Sequence, residues 1–353
     1  MKPSGGSPIE ISSRSRQRLL ALAAVTAGIM AALLLVFSVE LGFRLFMTEE
    51  HATWLEDFNC RQKHPFLAIW YKPDCATTWK RIEHGETLFS CRFSTDRFGR
   101  RRTPDPAPTA DGVALFFGGS GVLGAGVNDG NTLPAYFQRF APGFAAYNYG
   151  GGGFGPQQML AMLTKADVRA QITLPRYRRT VLIYVVTDMI FPVAIGAMGP
   201  YLSYARYFPY YELGADGTLV DRGNFASGRS LRSGLYDLIG QSHLAGYFHV
   251  DLSKTLSDHD VETAVRIIDE SRRRFKRDFD SDDFYVMIWP GSEVSVQKRA
   301  LKLFQERKFR ILDYSDMHYA ETPENVVGDG HPGPRIQERF AARLAKDILH
   351  GPN

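Results

Sequence analysis

The residues with the clearest chemical potential form a short apolar run that ends in small residues and a serine. Val113–Phe117 is the apolar run, and Gly118, Gly119 and Ser120 follow it directly. A buried strand that stops at glycines lets the chain turn sharply and leaves the serine hydroxyl at the carboxyl end of the strand. That position suits a nucleophile, and it also suits a phosphate-binding turn or a plain loop. A catalytic role for this serine requires a base and oxyanion donors elsewhere in the chain.

A histidine and an aspartate near the end of the chain supply groups that would activate this serine. They stand in Gly328-Asp329-Gly330-His331-Pro332, after the last predicted strand. An imidazole exchanges protons near neutral pH, so His331 suits the base that takes the proton of Ser120 and later returns it. Asp329 suits the carboxylate that orients the imidazole and stabilises its charged form. These residue types predict acyl transfer from an ester.

Strand and helix signals alternate after residue 112. The predicted strands are Val113–Phe117, Phe144–Tyr149, Thr180–Thr187, Phe284–Trp289 and Phe309–Tyr314. The predicted helices are Thr132–Phe140 with Asn131 as its cap, Gln157–Gln171, Asp258–Phe279, Ser295–Lys308 and Pro334–Leu349. Continuous apolar strands separated by helices predict a parallel sheet with both faces covered. The third connection is longer than a crossover needs, which predicts an insertion at about residues 190–255.

The predicted sheet would gather the polar residues at one edge. Ser120 follows the first strand, Gly150–Gly155 the second and Asp188 the third, while Asp329 and His331 follow the fifth. The carboxyl ends of parallel strands lie at the same edge, where α/β proteins bind their ligands. We therefore expect these loops to form one site.

Three blocks of this region resemble those of the SGNH, or GDSL-type, hydrolases. Phe117–Pro134 resembles the first block, with Gly118-Gly119-Ser120 in place of Gly-Asp-Ser. Tyr147–Pro156 resembles the second block, whose glycine supplies an oxyanion-hole amide and maps best onto Gly153. Residues 328–332 resemble the last block, which contributes the Asp and His of the triad. The blocks follow the family's order over about residues 113–350.

The resemblance implies a three-layer α/β/α, flavodoxin-like fold with a central parallel sheet. It assigns catalysis to Ser120, His331 and Asp329, and it makes the N–H groups of Ser120 and Gly153 the oxyanion hole. We expect no cofactor and no metal ion.

One block departs from the family pattern. The third block of the family usually supplies an asparagine that donates to the oxyanion, whereas this strand ends in Val186-Thr187-Asp188. Asp188 occupies or adjoins that place. The sequence allows four alternatives for Asp188: it is protonated, points away, binds a substrate hydroxyl or weakens the site. Asn148 and Asp188 are both candidates for lining the site.

The N-terminus predicts a location outside the cytoplasm for the main domain. Leu19–Val39 has no charged residue, and as a helix it covers roughly 31 Å, enough to cross a bilayer. Three arginines precede it and three glutamates follow at or beyond its end, which by the positive-inside rule leaves the first residues in the cytoplasm. We expect a cytoplasmic tail at 1–18, a transmembrane anchor at 19–47, a lead-in segment at 48–112 and the hydrolase-like domain at 113–353. A cleaved signal peptide is the alternative.

The three cysteines all fall in the lead-in segment. Cys75 and Cys91 flank a predicted hairpin with its turn near His84-Gly85, which favours that pair over the two pairings that involve Cys60. An exported domain permits a disulfide, and three cysteines leave one thiol free.

The net charge of the chain and the expected location of its main domain restrict the classes of function. The 42 Lys and Arg against 38 Asp and Glu give a formal charge of only +4, which argues against a nucleic-acid partner. We expect a single-pass protein of a bacterial inner membrane whose main domain is periplasmic. We expect this domain to be an ester hydrolase that acts on acyl, in particular acetyl, esters of envelope or exported polysaccharide. Such an enzyme would meet acylated carbohydrate and the envelope polysaccharide machinery. An O-acyltransferase with the same triad and a non-catalytic polysaccharide-binding or assembly subunit are the alternatives.

Overall fold

The computed structural model of the protein describes residues 13–46, 54–290, 294–317 and 327–351. The chain folds as two compact units. Met1–His51 and Leu238–Val250 form the first, and Ala52–Asp237 and Asp251–Asn353 form the second.

The described residues contain twelve strands and twelve α-helices. The strands are β1 Trp54–Asp57, β2 Arg61–His64, β3 Ala68–Tyr71, β4 Ala76–Glu83, β5 Glu86–Ser94, β6 Gly112–Gly118, β7 Phe144–Gly150, β8 Arg179–Val186, β9 Pro209–Leu213, β10 Leu219–Asn224, β11 Phe284–Ile288 and β12 Arg310–Asp313. The helices are α1 Ser13–Phe46, α2 Ser120–Leu123, α3 Leu133–Phe140, α4 Pro156–Lys165, α5 Ile190–Ala194, α6 Met198–Pro200, α7 Phe225–Gly228, α8 Ser230–Gly240, α9 His243–Tyr247, α10 Asp258–Phe279, α11 Val294–Glu306 and α12 Pro334–His350.

The first unit is built on the long helix α1. Its segment Arg16–Phe46 is long and apolar enough to cross a membrane, a test that a signal sequence near the N-terminus also passes. The helix begins at Ser13, so the described part of the predicted tail is helical, while residues 1–12 lie outside the described residues. Glu40 accepts hydrogen bonds from the Ser242 hydroxyl at 2.7 Å and the His243 N–H at 2.8 Å, which ties the start of α9 to α1.

The lead-in segment forms two small antiparallel sheets, of which the sequence predicted one strand. β1, β4 and β5 make one sheet, and β2 pairs with β3 in the other. The predicted strand Thr87–Thr95 corresponds to β5, and His84-Gly85 is the turn of the β4–β5 hairpin.

The predicted disulfide pair is wrong. Cys60 bonds to Cys75, and Cys91 is a buried free thiol. The hairpin register explains the difference, because Cys91 lies opposite Trp79, four residues along the strand from Cys75. Four residues of a strand span about 13 Å, whereas the α-carbons of disulfide-bonded cysteines lie less than about 7 Å apart.

The main sheet has five parallel strands in the order β12-β11-β8-β6-β7. In chain order this is 2-1-3-4-5, the flavodoxin-like arrangement. The connection from β6 runs towards one edge of the sheet and the connection from β8 towards the other. Ligands in such sheets bind at this switch point, beyond the carboxyl ends of β6 and β8.

Helices cover both faces of this sheet, and every residue of its central strands β6 and β8 is buried except Arg179 at the start of β8, which is half-buried. Phe116, Ile183 and Met287 pack with Phe137 of α3 and Phe340 of α12 in one continuous core. On the other side, α4 and α10 are packed against one another. The structure thus confirms the predicted three-layer α/β/α architecture.

Two predicted helix boundaries are wrong for local reasons. Thr132, not Asn131, caps α3 by accepting a hydrogen bond from the Ala135 N–H, while the Asn131 amide donates to Tyr136. Helix α4 ends at Lys165 instead of Gln171. The Asp167 carboxylate accepts a hydrogen bond from the Ala170 N–H, a local turn that competes with a further helical turn.

Candidate active site

Ser120 stands where β6 passes into α2. The strand ends at Gly118, Gly119 is the extended residue that precedes the helix, and Ser120 is the first helical residue. The first N–H groups of a helix have no acceptor within the helix, so the Ser120 amide can bind an external oxygen. The turn therefore offers a half-buried hydroxyl and a backbone donor on one residue.

The structure brings the three predicted catalytic residues together. Ser120 Oγ lies 2.8 Å from His331 Nε2, although the two residues are 211 positions apart. His331 Nδ1 lies 2.9 Å from Asp329 Oδ1. The His331 backbone N–H also donates to Asp329 Oδ1 at 3.2 Å. This chain of contacts can carry a proton from the hydroxyl to the imidazole and balance the charge that results.

Asp329 is a buried carboxylate with a partner on each oxygen. Its side chain is 4% exposed, and its Oδ2 accepts a hydrogen bond at 3.0 Å from Nη1 of Arg81. Burial by itself would raise the pKa of Asp329. The hydrogen bond and charge of His331, its backbone N–H and the charge of Arg81 outweigh burial and lower the pKa below its ordinary 3.8. Asp329 is therefore ionised at neutral pH.

This shift predicts how Asp329 contributes to stability as the pH changes. A carboxyl whose pKa is depressed in the folded protein stabilises it above the unfolded pKa, and that contribution disappears as the pH falls through the folded pKa. The full-length protein in detergent should melt at a higher temperature than Asp329→Asn from pH 7 down to about pH 4, near the ordinary value of 3.8. The difference should shrink only below that pH in thermal unfolding curves. A difference that vanishes between pH 7 and pH 5 would contradict the assignment.

The glycine-rich turn after β7 brings Gly153 to the same edge. Gly153 has φ +72°, and a Cβ there would lie 2.6 Å from the ring of Tyr204, so only glycine fits. The Gly151 N–H donates to the Gly118 carbonyl at 3.1 Å, and the Gly152 N–H donates to the Tyr71 hydroxyl at 3.1 Å. These bonds fix the turn beside the serine.

Asn148 and Asp188 occupy different surroundings. Asn148 is 1% exposed, and its amide donates to the Val122 carbonyl and accepts from the Gly150 N–H. It therefore joins β7 to α2 beneath the site and is not among the residues that line the cleft. Asp188 follows β8 and lines the cleft together with Thr187.

A cleft of about 1500 Å³ lies over these residues. Loops from the carboxyl ends of β6, β7, β8 and β11 contribute to its lining, and so does the lead-in hairpin. Of the five tyrosines that crowd residues 201–211, Tyr204 is the one that lines it, while Tyr201 and Tyr211 are buried in packing contacts. Aromatic lining comes from Trp79, Phe89, Phe154, Tyr204 and Trp289.

Sequence reasoning missed the contribution of the lead-in segment to this cleft. Trp79 and Arg81 are two residues apart on β4, so both side chains lie on the same face of the strand. That signal was available in the sequence, but nothing in it indicated which surface this face would meet.

No protein-family model and no curated protein matches the chain. Solved structures are similar to it in architecture. A member of the lipolytic G-D-S-L family from Veillonella parvula is 12% identical, with 68% of this chain and 98% of that one covered at a TM-score of 0.36. An acetyl xylan esterase from Butyrivibrio proteoclasticus is 12% identical, with coverages of 74% and 69% and a TM-score of 0.40. A family two carbohydrate esterase from Clostridium thermocellum, in complex with cellohexaose, is 13% identical, with coverages of 78% and 75% and a TM-score of 0.36.

These likenesses are too low to identify an activity by themselves. The strand order and the convergence of the three sequence blocks on one sheet edge are properties of this chain. The chain has the three-layer, flavodoxin-like α/β/α fold that its resemblance to the SGNH hydrolases implies.

Proposed function

We propose that this protein is a serine ester hydrolase of the SGNH type, anchored in the bacterial inner membrane with its α/β domain outside the cytoplasm. The observation that carries the proposal is the run of short contacts from Ser120 through His331 to Asp329 on the wall of a large cleft. A serine in a tight turn occurs for structural reasons, but a buried acid 2.9 Å from an imidazole that contacts the hydroxyl is typical of nucleophilic catalysis.

The chemistry follows from these positions. Ser120 Oγ attacks the ester carbonyl carbon while His331 Nε2 takes its proton. The N–H groups of Ser120 and Gly153 bind the oxyanion of the tetrahedral intermediate. His331 then gives the proton to the leaving alcohol, and an acyl group remains on Ser120. Water attacks this acyl-enzyme with His331 as base, which releases the acid and restores the serine.

We infer that the substrate is an acyl ester on carbohydrate, in particular an acetyl ester of envelope or exported polysaccharide. An externally facing domain would meet such polymers. The cleft is much larger than an acetyl group needs, and Tyr204, which lines it and is 43% exposed, offers an aromatic face to a sugar ring.

The proposal is tested by chemical labelling of the full-length protein in detergent. A fluorophosphonate probe should form one adduct, which mass spectrometry should locate on Ser120, and p-nitrophenyl acetate should be turned over. Release of acetate from acetylated xylan, in the presence and absence of a free sugar acceptor, separates hydrolysis from acyl transfer. Absence of both labelling and turnover would favour a non-catalytic binding subunit.

The anchor has its own test. An uncleaved α1 should leave the protein in the membrane pellet after alkaline carbonate extraction, with an intact mass that includes residues 1–46. A soluble product that lacks these residues would identify a signal peptide instead.

A further inference from the structure

We propose that Arg81 of the lead-in hairpin is a positioning residue for the triad, one that holds Asp329 in the orientation that His331 requires. The inference rests on the proposed function and extends the catalytic machinery beyond the α/β domain. Arg81 lies on β4, and its contact with Asp329 bridges 248 positions of the chain.

The two carboxylate oxygens of Asp329 have different partners. Oδ1 faces the ring and the backbone N–H of His331, and Oδ2 is held by Arg81 Nη1 at 3.0 Å. Rotation about the last side-chain bond of an aspartate is soft and roughly two-fold. A donor fixed on Oδ2 removes that freedom, so Oδ1 stays directed at the imidazole.

Burial makes this partner necessary. The Asp329 side chain is 4% exposed, whereas that of Arg81 is 30% exposed, so the carboxylate is shielded from water and the guanidinium reaches it from the rim. A buried charge is tolerated when paired, and removal of one partner leaves it uncompensated. Without Arg81, Asp329 would turn towards water or take up a proton more readily. Both changes would weaken the interaction of its carboxylate with the His331 ring.

The hairpin holds Arg81 firmly in place. Arg81 pairs with Phe89 across the β4–β5 register, next to a bulge between Arg81 and Ile82. Trp79, two residues earlier on the same face, is 4% exposed and packs edge-on against Phe89 at 5.4 Å. A bulge beside a functional group re-aims a side chain out of the regular pleat.

Kinetics of Arg81→Met in the full-length protein test the proposal, because methionine keeps much of the aliphatic stem and removes the guanidinium. Each preparation is normalised to active sites with the fluorophosphonate probe. We expect kcat per active site for p-nitrophenyl acetate to fall about 10- to 100-fold, the range of losses from small misplacements of reacting groups. KM should change less than about two-fold, because Arg81 acts through Asp329 and His331 on the chemical step. Lys80→Met, on the exposed face of the same strand, should match the wild type.

Chemical rescue separates positioning from a general structural role. Addition of guanidinium ion to Arg81→Ala should restore part of the lost kcat, and Arg81→Lys should lose less than Arg81→Met. A kcat for Arg81→Met within two-fold of the wild type would overturn the proposal, as would a loss that neither guanidinium nor lysine relieves. If Arg81→Met does not fold, the lysine variant and the rescue decide. An inactive wild type would overturn the proposed function and this inference together, whereas an active wild type with a silent Arg81→Met overturns the inference alone.

Discussion

The Ser120→Ala variant is expected to lose ester hydrolysis by on the order of 10⁴-fold or more, the scale on which removal of a catalytic serine acts in other triads. The physical reason is the loss of the only atom that is placed to form the acyl-enzyme in the proposed mechanism. His331 and the oxyanion donors would remain, so a small residual rate over water is expected. Fluorophosphonate labelling should disappear completely. Turnover of p-nitrophenyl acetate by the full-length protein in detergent measures the effect.

Ser315→Ala is the matched control, because Ser315 is an exposed serine that follows β12. It should label and turn over like the wild type. Both variants should melt within about 2 °C of the wild type, since removal of one hydroxyl changes stability by only about 1 kcal/mol. A Ser120→Ala protein that retains labelling would show that another residue is the nucleophile and would contradict the assignment of Ser120.

Replacement of Arg101 by methionine is expected to be the most destabilising change outside the site. The Arg101 residue is 1% exposed, and its guanidinium pairs with Asp129 at 3.1 Å. It also donates to four backbone carbonyls, those of Arg92, Leu123, Gly124 and Val127. These bonds join strand β5 to the chain that follows the serine turn.

The expected cost of Arg101→Met is about 3–5 kcal/mol, because Asp129 loses its buried partner and four carbonyls lose a donor. For a domain of this size that corresponds to a fall in melting temperature of about 5–15 °C. Arg102→Met is the control. The Arg102 side chain is 53% exposed and lies 3.7 Å from Asp74, so its loss should cost less than about 1 kcal/mol. Equal melting temperatures for the two variants would contradict the structural role of Arg101.

The same arginines show where sequence reasoning reached its limit. Arg100, Arg101 and Arg102 are consecutive and look alike in the sequence, yet Arg100 and Arg101 are 1% exposed and Arg102 is on the surface. Arg100 is buried beside Tyr149, and burial raises the pKa of that tyrosine to about 12 against the opposing charge of Arg100. Burial of an arginine depends on the acceptors that distant segments bring to it, and no local pattern encodes them.

Apolar runs such as Val113–Phe117 and Thr180–Thr187 were sufficient to predict a parallel sheet covered on both faces, because their burial pattern is a local property of the strand. The convergence of Ser120, Gly153 and His331 followed as well, since the carboxyl ends of parallel strands must share one edge. Only the tertiary structure determined the contacts of the lead-in segment, which lies outside the main sheet. The pairing of Cys60 with Cys75 depends on hairpin register, and the contact of Arg81 with Asp329 depends on how a separate β-hairpin lies against the sheet edge. Such contacts join residues whose separation along the chain carries no information about their distance in space.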